Sequence, residues 1–162
     1  MPFNKKAIID SIVYELKKEF AVLVKSAMEA KDAATNEESK AENKYDTRGL
    51  EASYLAGAQA SRAQQVRRAM VDFEKIEIKE YSSTDEIGST ALIRVSIDDE
   101  DEKWFFLLPQ KGGMNIQVEK DTVTTLSMDS PLGDMLIGKK VGDDFELEIA
   151  KVNREYVIEE VY

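Results

Sequence analysis

The sequence predicts an α+β protein: an antiparallel coiled-coil hairpin of two long helices, then an antiparallel sheet domain with one short helix. Three observations predict it. Residues 5–34 and 36–73 each space their apolar residues in alternating steps of four and three, the heptad seam of paired helices. After Phe73 the apolar spacing shortens to every second residue, the period of a half-buried strand. Among those strands, Ser130-Pro131 combines a preferred N-cap with the residue favoured at the first helical position. The predicted domains are 1–75, a coiled coil with an acidic tip, and 76–162, a sheet domain.

The first helix carries its seam on Ile9, Val13, Leu16, Phe20, Leu23, Ala27 and Ala30, with Ile8 and Ile12 widening the stripe where the rod meets other structure. At about 1.5 Å per residue it makes a rod of roughly 45 Å. The second helix has a seam of smaller residues: Tyr45, Gly49, Ala52, Ala56, Gln59, Ala63, Val66, Met70 and Phe73. Large knobs against small holes suit an antiparallel pair. Between the seams, Thr35-Asn36-Glu37-Glu38 has the form of a capping box, which restarts a helix at Thr35. That placement favours a register with Phe20 against Gly49 and Leu23 against Tyr45; a turn nearer Glu42 instead sets Phe20 against Ala63. Five carboxylates, Asp32, Glu37, Glu38, Glu42 and Asp46, surround the turn.

In the second half, Phe73–Tyr81 alternates apolar and charged residues and is predicted as a strand, followed by a loop over Ser82–Gly88 and a strand over Thr90–Ile97. Asp98–Glu102 is an acidic turn. Trp104–Leu108 is a continuous apolar run, the pattern of a strand covered on both faces, so its aromatic residues are core. Pro109–Gly113 is a break, and Gly112-Gly113 serves turn geometry, since no phosphate-loop motif follows. Val123–Met128 is a short strand. The short helix holds Leu132, Met135 and Leu136 and stops at Gly138. Two alternating segments, Phe145–Ile149 and Tyr156–Val161, close the domain as a hairpin turning near Asn153-Arg154.

Composition bounds the chemistry. Cysteine and histidine are absent, which excludes thiol chemistry, disulfides, Ser-His-Asp catalysis and Cys/His zinc sites. No apolar run approaches the ~20 residues of a membrane span, and no signal-peptide core follows the start, so the cytoplasm is the expected location and no membrane partner is expected. Net charge is −10, unevenly spread: residues 1–75 carry 13 Lys and Arg against 12 Asp and Glu, and residues 76–162 carry 9 against 20. The acidic half repels phosphates, so a protein partner with a basic surface is expected for it.

The segment Met128-Asp129-Ser130-Pro131-Leu132-Gly133-Asp134-Met135-Leu136-Ile137-Gly138-Lys139-Lys140-Val141-Gly142-Asp143 resembles the SP-x-x-x-x-L-x-GK-x-x-GD signature of the carboxy-terminal domain of Gre-family bacterial transcription factors. The last strand, Glu155–Tyr162, is similar to that family's ending, and Glu42-Asn43 followed by Tyr45 is similar to its coiled-coil tip. The resemblance implies an FKBP-like globule that docks at the rim of the RNA polymerase secondary channel, while the rod enters toward the active site. It implies no cofactor of the chain's own, and contact with nascent RNA only inside the polymerase complex. In cleavage-stimulating relatives two tip acids help hold the polymerase's second magnesium. The family's tip reads Gly-Asp-x-x-Glu-Asn; here Ser39 stands at the Asp position and Glu38 at the Gly position. Glu38 lies one helical turn before Glu42, so this pair is the candidate for the shared magnesium. By the same resemblance Asn43, Tyr45, Asp46, Asp129, Ser130 and Pro131 are candidate partner contacts.

Arg62, Arg67, Arg68 and Lys75 form a basic band near the rod base, a candidate contact for RNA or an acidic polymerase surface. Two readings stand beside transcript cleavage: a Gre-like channel binder that does not stimulate it, and an FKBP-type prolyl isomerase or chaperone. In the first two the chain is an accessory factor rather than an enzyme.

Overall fold

The structure, a computed structural model, describes residues 3–36 and 47–162. The chain divides into two compact units, one comprising Met1–Ile12 with Ile76–Tyr162 and the other Val13–Lys75.

The second of these is a hairpin of α1 (Lys5–Thr35, from Val13 onward) and α2 (Arg48–Glu74). Its protected face is the predicted seam: Val13, Leu16, Ala30, Ala63, Val66 and Phe73 are buried. Phe20, Leu23, Ala27, Gly49, Ala52, Ala56, Gln59 and Met70 are half-buried. Arg62 meets Glu19 at 3.2 Å, Lys17 meets Glu74 at 3.6 Å, and Phe20 shares a groove with Ala60 and Ala63. The helices therefore run antiparallel with Phe20 at the level of Ala63, and the register placing Phe20 against Gly49 is incorrect. The capping reading of Thr35 caused that error. Thr35 is the last residue of α1, and its hydroxyl donates to the Lys31 carbonyl at 3.0 Å, so it closes a helix instead of opening one. The second helix opens after Thr47, whose hydroxyl donates to Glu51 Oε1 at 2.7 Å. Glu37, Glu38, Ser39, Glu42, Asn43, Tyr45 and Asp46 lie outside the described residues.

This register has a direct check. Reversing one charge, Arg62→Glu, should destabilise the hairpin slightly, and adding Glu19→Arg should recover the loss. The coupling expected for an exposed pair is about 0.2–1 kcal/mol, read from thermal melts of the four chains of the cycle. No coupling would return the register to question.

The other unit is built on a six-stranded sheet in the order β3-β4-β2-β1-β6-β5. Its strands are β1 (Leu92–Ile97), β2 (Asp101–Leu108), β3 (Asn115–Val118), β4 (Asp121–Ser127), β5 (Asp144–Ile149) and β6 (Val152–Val161). Four of the five pairings are antiparallel, as expected; β2 and β4 pair in parallel. The chain leaves β2, crosses to the edge as β3, and returns between them as β4. Thr125, fully buried, holds that crossing: its hydroxyl donates to the Lys111 carbonyl (2.8 Å) and accepts from the Met114 amide (2.9 Å).

One face of the sheet packs Ile93, Val95, Ile97, Phe105, Leu107 and Ile158 against Leu132 and Leu136 of α3 (Pro131–Leu136). The intervening residues Leu92, Phe106 and Leu108 are also fully buried, so the apolar run of β2 is covered on both sides. Phe3 meets Trp104 edge-on at 5.0 Å between ring centroids, and Ile8 and Ile12 are fully buried. Lys5 is buried too. Its ammonium donates to the Lys79 carbonyl and stands over the Tyr81 ring, and burial lowers its pKa.

Two predicted details are corrected. Phe73 and Glu74 belong to α2, and Ile76–Tyr81 forms no strand and joins no ladder. Burial alternates there as the sequence says, with Ile76 and Ile78 half-buried between exposed charges. However, the Lys79 amide donates to the Thr90 hydroxyl at 2.9 Å and its carbonyl takes Lys5, so side chains replace a neighbouring strand. The β5–β6 turn falls on Ala150 and Lys151, both at positive φ (53° and 67°), and not at Asn153-Arg154. Asn153 sits inside β6, where its amide donates to Glu146 at 2.8 Å.

Candidate functional site

The signature segment folds into a mounted helix. Ser130 Oγ accepts from the Gly133 amide at 3.1 Å, and Pro131 occupies the first turn, where no amide is needed. The Ser127 carbonyl accepts from both the Ser130 amide (3.0 Å) and hydroxyl (2.7 Å). Gly133 packs against that same carbonyl so closely that a Cβ there would lie 2.0 Å from the oxygen. Downstream, Gly138 takes φ +78° and its amide donates to the Ile87 carbonyl at 2.9 Å, while the Ile87 amide donates to Lys139. Gly142, at φ +88°, and the Asp143 carboxylate, which accepts from the Lys140 amide at 2.8 Å, close the following turn. Most of the signature thus serves to hold α3 against the sheet.

Asp129 and Pro131, two of the three residues predicted on this segment, are exposed, whereas Ser130 is half-buried and engaged as a cap. Asp134 and Ile137 share this exposed surface and were not among the predicted site residues. Ile137 was legible: it is the apolar residue of the helix end that falls outside the inward pair Leu132 and Leu136.

On the central strand β1, Arg94 bridges Glu160 and Glu102, the latter at 2.7 Å, and the Tyr162 hydroxyl donates to Glu160 Oε2 at 2.6 Å. The Tyr162 hydrogen bond, followed by the Arg94 pairing, holds the Glu160 carboxyl below its usual pKa. A lowered carboxylate pKa adds stability above the unfolded-state value, and that stability is lost as pH falls through the folded value. Wild-type stability should therefore fall more steeply below about pH 4.3 than that of Glu160→Gln, measured by urea titrations across the acid range.

In the helical unit the basic band divides. Arg62 is paired with Glu19, and Lys75 is the C-cap of α2. Arg67 and Arg68 lie together on one exposed face of α2 with Gln64, Val71 and Asp72. The predicted magnesium pair Glu38 and Glu42, with Asn43, Tyr45 and Asp46, falls outside the described residues; among the described ones, no three acidic side chains are grouped to hold a metal ion. Trp104, half-buried, meets Phe3 and Tyr162 ring to ring, and Phe105 and Phe106 are buried, as the continuous apolar run predicts. Among the described residues, no helix is long and apolar enough to cross a membrane.

Comparison with known proteins places matches over most of the chain. Residues 82–162 match the family model described as "Transcription elongation factor, GreA/GreB, C-term". Transcription elongation factor GreA of Thermotoga neapolitana is 28% identical over 151 residues, covering 91% of this chain and 86% of that one. Among solved structures, the GreA factor homolog 1 (Gfh1) of Thermus thermophilus matches at 21% identity with a TM-score of 0.38, covering 93% of this chain and 94% of that one. A GreA/GreB protein of Nitrosomonas europaea matches at 18% identity and a TM-score of 0.37, covering 59% and 78%.

Proposed function

The chain belongs to the GreA/GreB family of transcription elongation factors, and on that premise we propose that it binds RNA polymerase through the α3 surface and reaches the secondary channel with its helical arm. The observation that carries this reading is the division of the signature segment. Its buried members fix α3 to the sheet, and Asp129, Pro131, Asp134 and Ile137 are left outward. An exposed surface of two carboxylates and two apolar residues fits a basic, partly apolar partner. The factor is proposed as accessory: the polymerase performs the chemistry, and nascent RNA is met only inside that complex.

The test is binding to core polymerase. Asp129→Ala and Pro131→Ala should each weaken affinity roughly fivefold or more, about 1 kcal/mol, with the far-UV circular dichroism of the chain unchanged. Unchanged affinity in both would remove α3 as the docking surface.

For the tip, Glu38 and Glu42 supply the hard carboxylate oxygens that magnesium prefers, and one or two such ligands are enough when phosphate and water complete the shell. The ion belongs to the polymerase, where it would activate water for RNA cleavage. A second reading has its own observation. Ser39 occupies the family's Asp position, and a hydroxyl is a poor substitute for an anionic ligand, which favours channel binding without cleavage. RNA cleavage by backtracked polymerase, with and without the chain, separates the two.

A further inference from the structure

We propose that the helical arm carries a binding site for a single-chain amphipathic anion, of the fatty-acid carboxylate class. Two adjoining compartments within the Val13–Lys75 unit support it. The first is a largely apolar, open groove of about 360 Å³ walled by Phe20, Val24, Ala27 and Met28 of α1 and by Ala56, Ala60 and Ala63 of α2, with Lys31 also on its lining. The second is an open polar patch on the exposed face of α2, formed by Gln64, Arg67, Arg68, Val71 and Asp72. They share Gln64 and Arg67, so one ligand can occupy both.

The sequence creates the groove through its size asymmetry. Alanines on α2 face larger side chains on α1, and at this level of the hairpin Phe20, Val24 and Ala27 stay half-buried. The apolar surface left in contact with water is a standing gain for an alkyl chain that covers it. The volume of the groove lies within the ~300–1,000 Å³ typical of small-molecule sites. The polar compartment sets the sign of the head group: two guanidiniums against one carboxylate, Asp72, leave it net positive. Guanidinium geometry pairs a carboxylate through two parallel hydrogen bonds. The head group therefore sits at Arg67 and Arg68, and the tail runs along the alanine wall toward Ala56. This site shares no residue with α3.

The experiment uses the full-length chain and sodium dodecanoate, titrated calorimetrically below its micelle concentration. Saturable one-to-one binding is expected. Each pair of methylenes removed from the tail should weaken it by up to about tenfold. Dodecyltrimethylammonium should bind at least tenfold more weakly. Two variants read the compartments separately: Arg67→Glu with Arg68→Glu should abolish the preference for the anion, and Ala60→Leu should fill the groove and weaken both amphiphiles. Both substitutions fall at exposed helix positions, and circular dichroism checks that the helices persist. Equal binding of the two amphiphiles by the wild type, binding that neither variant alters, or binding to anionic vesicles without binding to monomeric dodecanoate would each overturn the proposal.

Discussion

Gly133→Ala is expected to lower the unfolding midpoint of the sheet-bearing unit by roughly 10–20 °C, corresponding to about 2–3 kcal/mol. The added methyl would lie 2.0 Å from the Ser127 carbonyl oxygen and 3.0 Å from Ser130 Oγ. Neither neighbour can retreat freely. The carbonyl already accepts two hydrogen bonds from Ser130, and Ser130 Oγ caps the Gly133 amide. Relief would require α3 to lift, withdrawing Leu132 and Leu136 from the core. The chain's single tryptophan, Trp104 on β2, reports unfolding of this unit by fluorescence. Gly57→Ala is the control: a Cβ there meets nothing within 4 Å on α2, so the same substitution should stabilise the arm by about 0.5–1 kcal/mol. If Gly133→Ala melts like the wild type, the close mounting of α3 is not what the signature glycine serves.

The same glycine shows how far the sequence could be read. Ser130, Pro131 and Gly138 announced a short helix because capping, proline at the first turn and a positive-φ stop are local chemistry. The heptad seams were legible for a similar reason, since periodicity states which residues face inward. What periodicity leaves open is the partner. Ile76–Tyr81 alternates like a strand and buries the expected side, yet its backbone bonds are taken by Thr90 and Lys5, which are distant in sequence. The hairpin register failed because two heptad-spaced alignments satisfy the seam equally, and Thr35 can cap a helix start or bond backward at a helix end. The turn at Ala150-Lys151 carries neither Asn nor Gly, so the nearby Asn153 drew the assignment. The parallel pairing of β2 with β4 depends on a four-residue edge strand too short to signal itself.

Of the site, Ser130 and Pro131 announced α3 itself, while the tip rests on chemistry alone, and there the largest functional effect is expected. Added to backtracked polymerase, the chain should accelerate RNA cleavage, and the Glu38→Ala, Glu42→Ala double variant should lose about a hundredfold or more of that acceleration, the scale of removing a transition-state electrostatic contact. The variant should keep its polymerase affinity, because docking is assigned to α3; loss of rate with unchanged affinity is the signature of a group acting only in the transition state. Single variants discriminate further. If Glu38 substitutes for the anion that Ser39 lacks, Glu38→Ala alone should cost nearly as much as the double variant, and Ser39→Asp should rescue it in part. Equal cleavage by the wild type and the double variant would remove these carboxylates from the chemistry. A wild type that binds tightly and accelerates nothing would instead identify a channel binder, and Ser39→Asp then becomes the decisive gain-of-function variant: a restored anion should switch cleavage on.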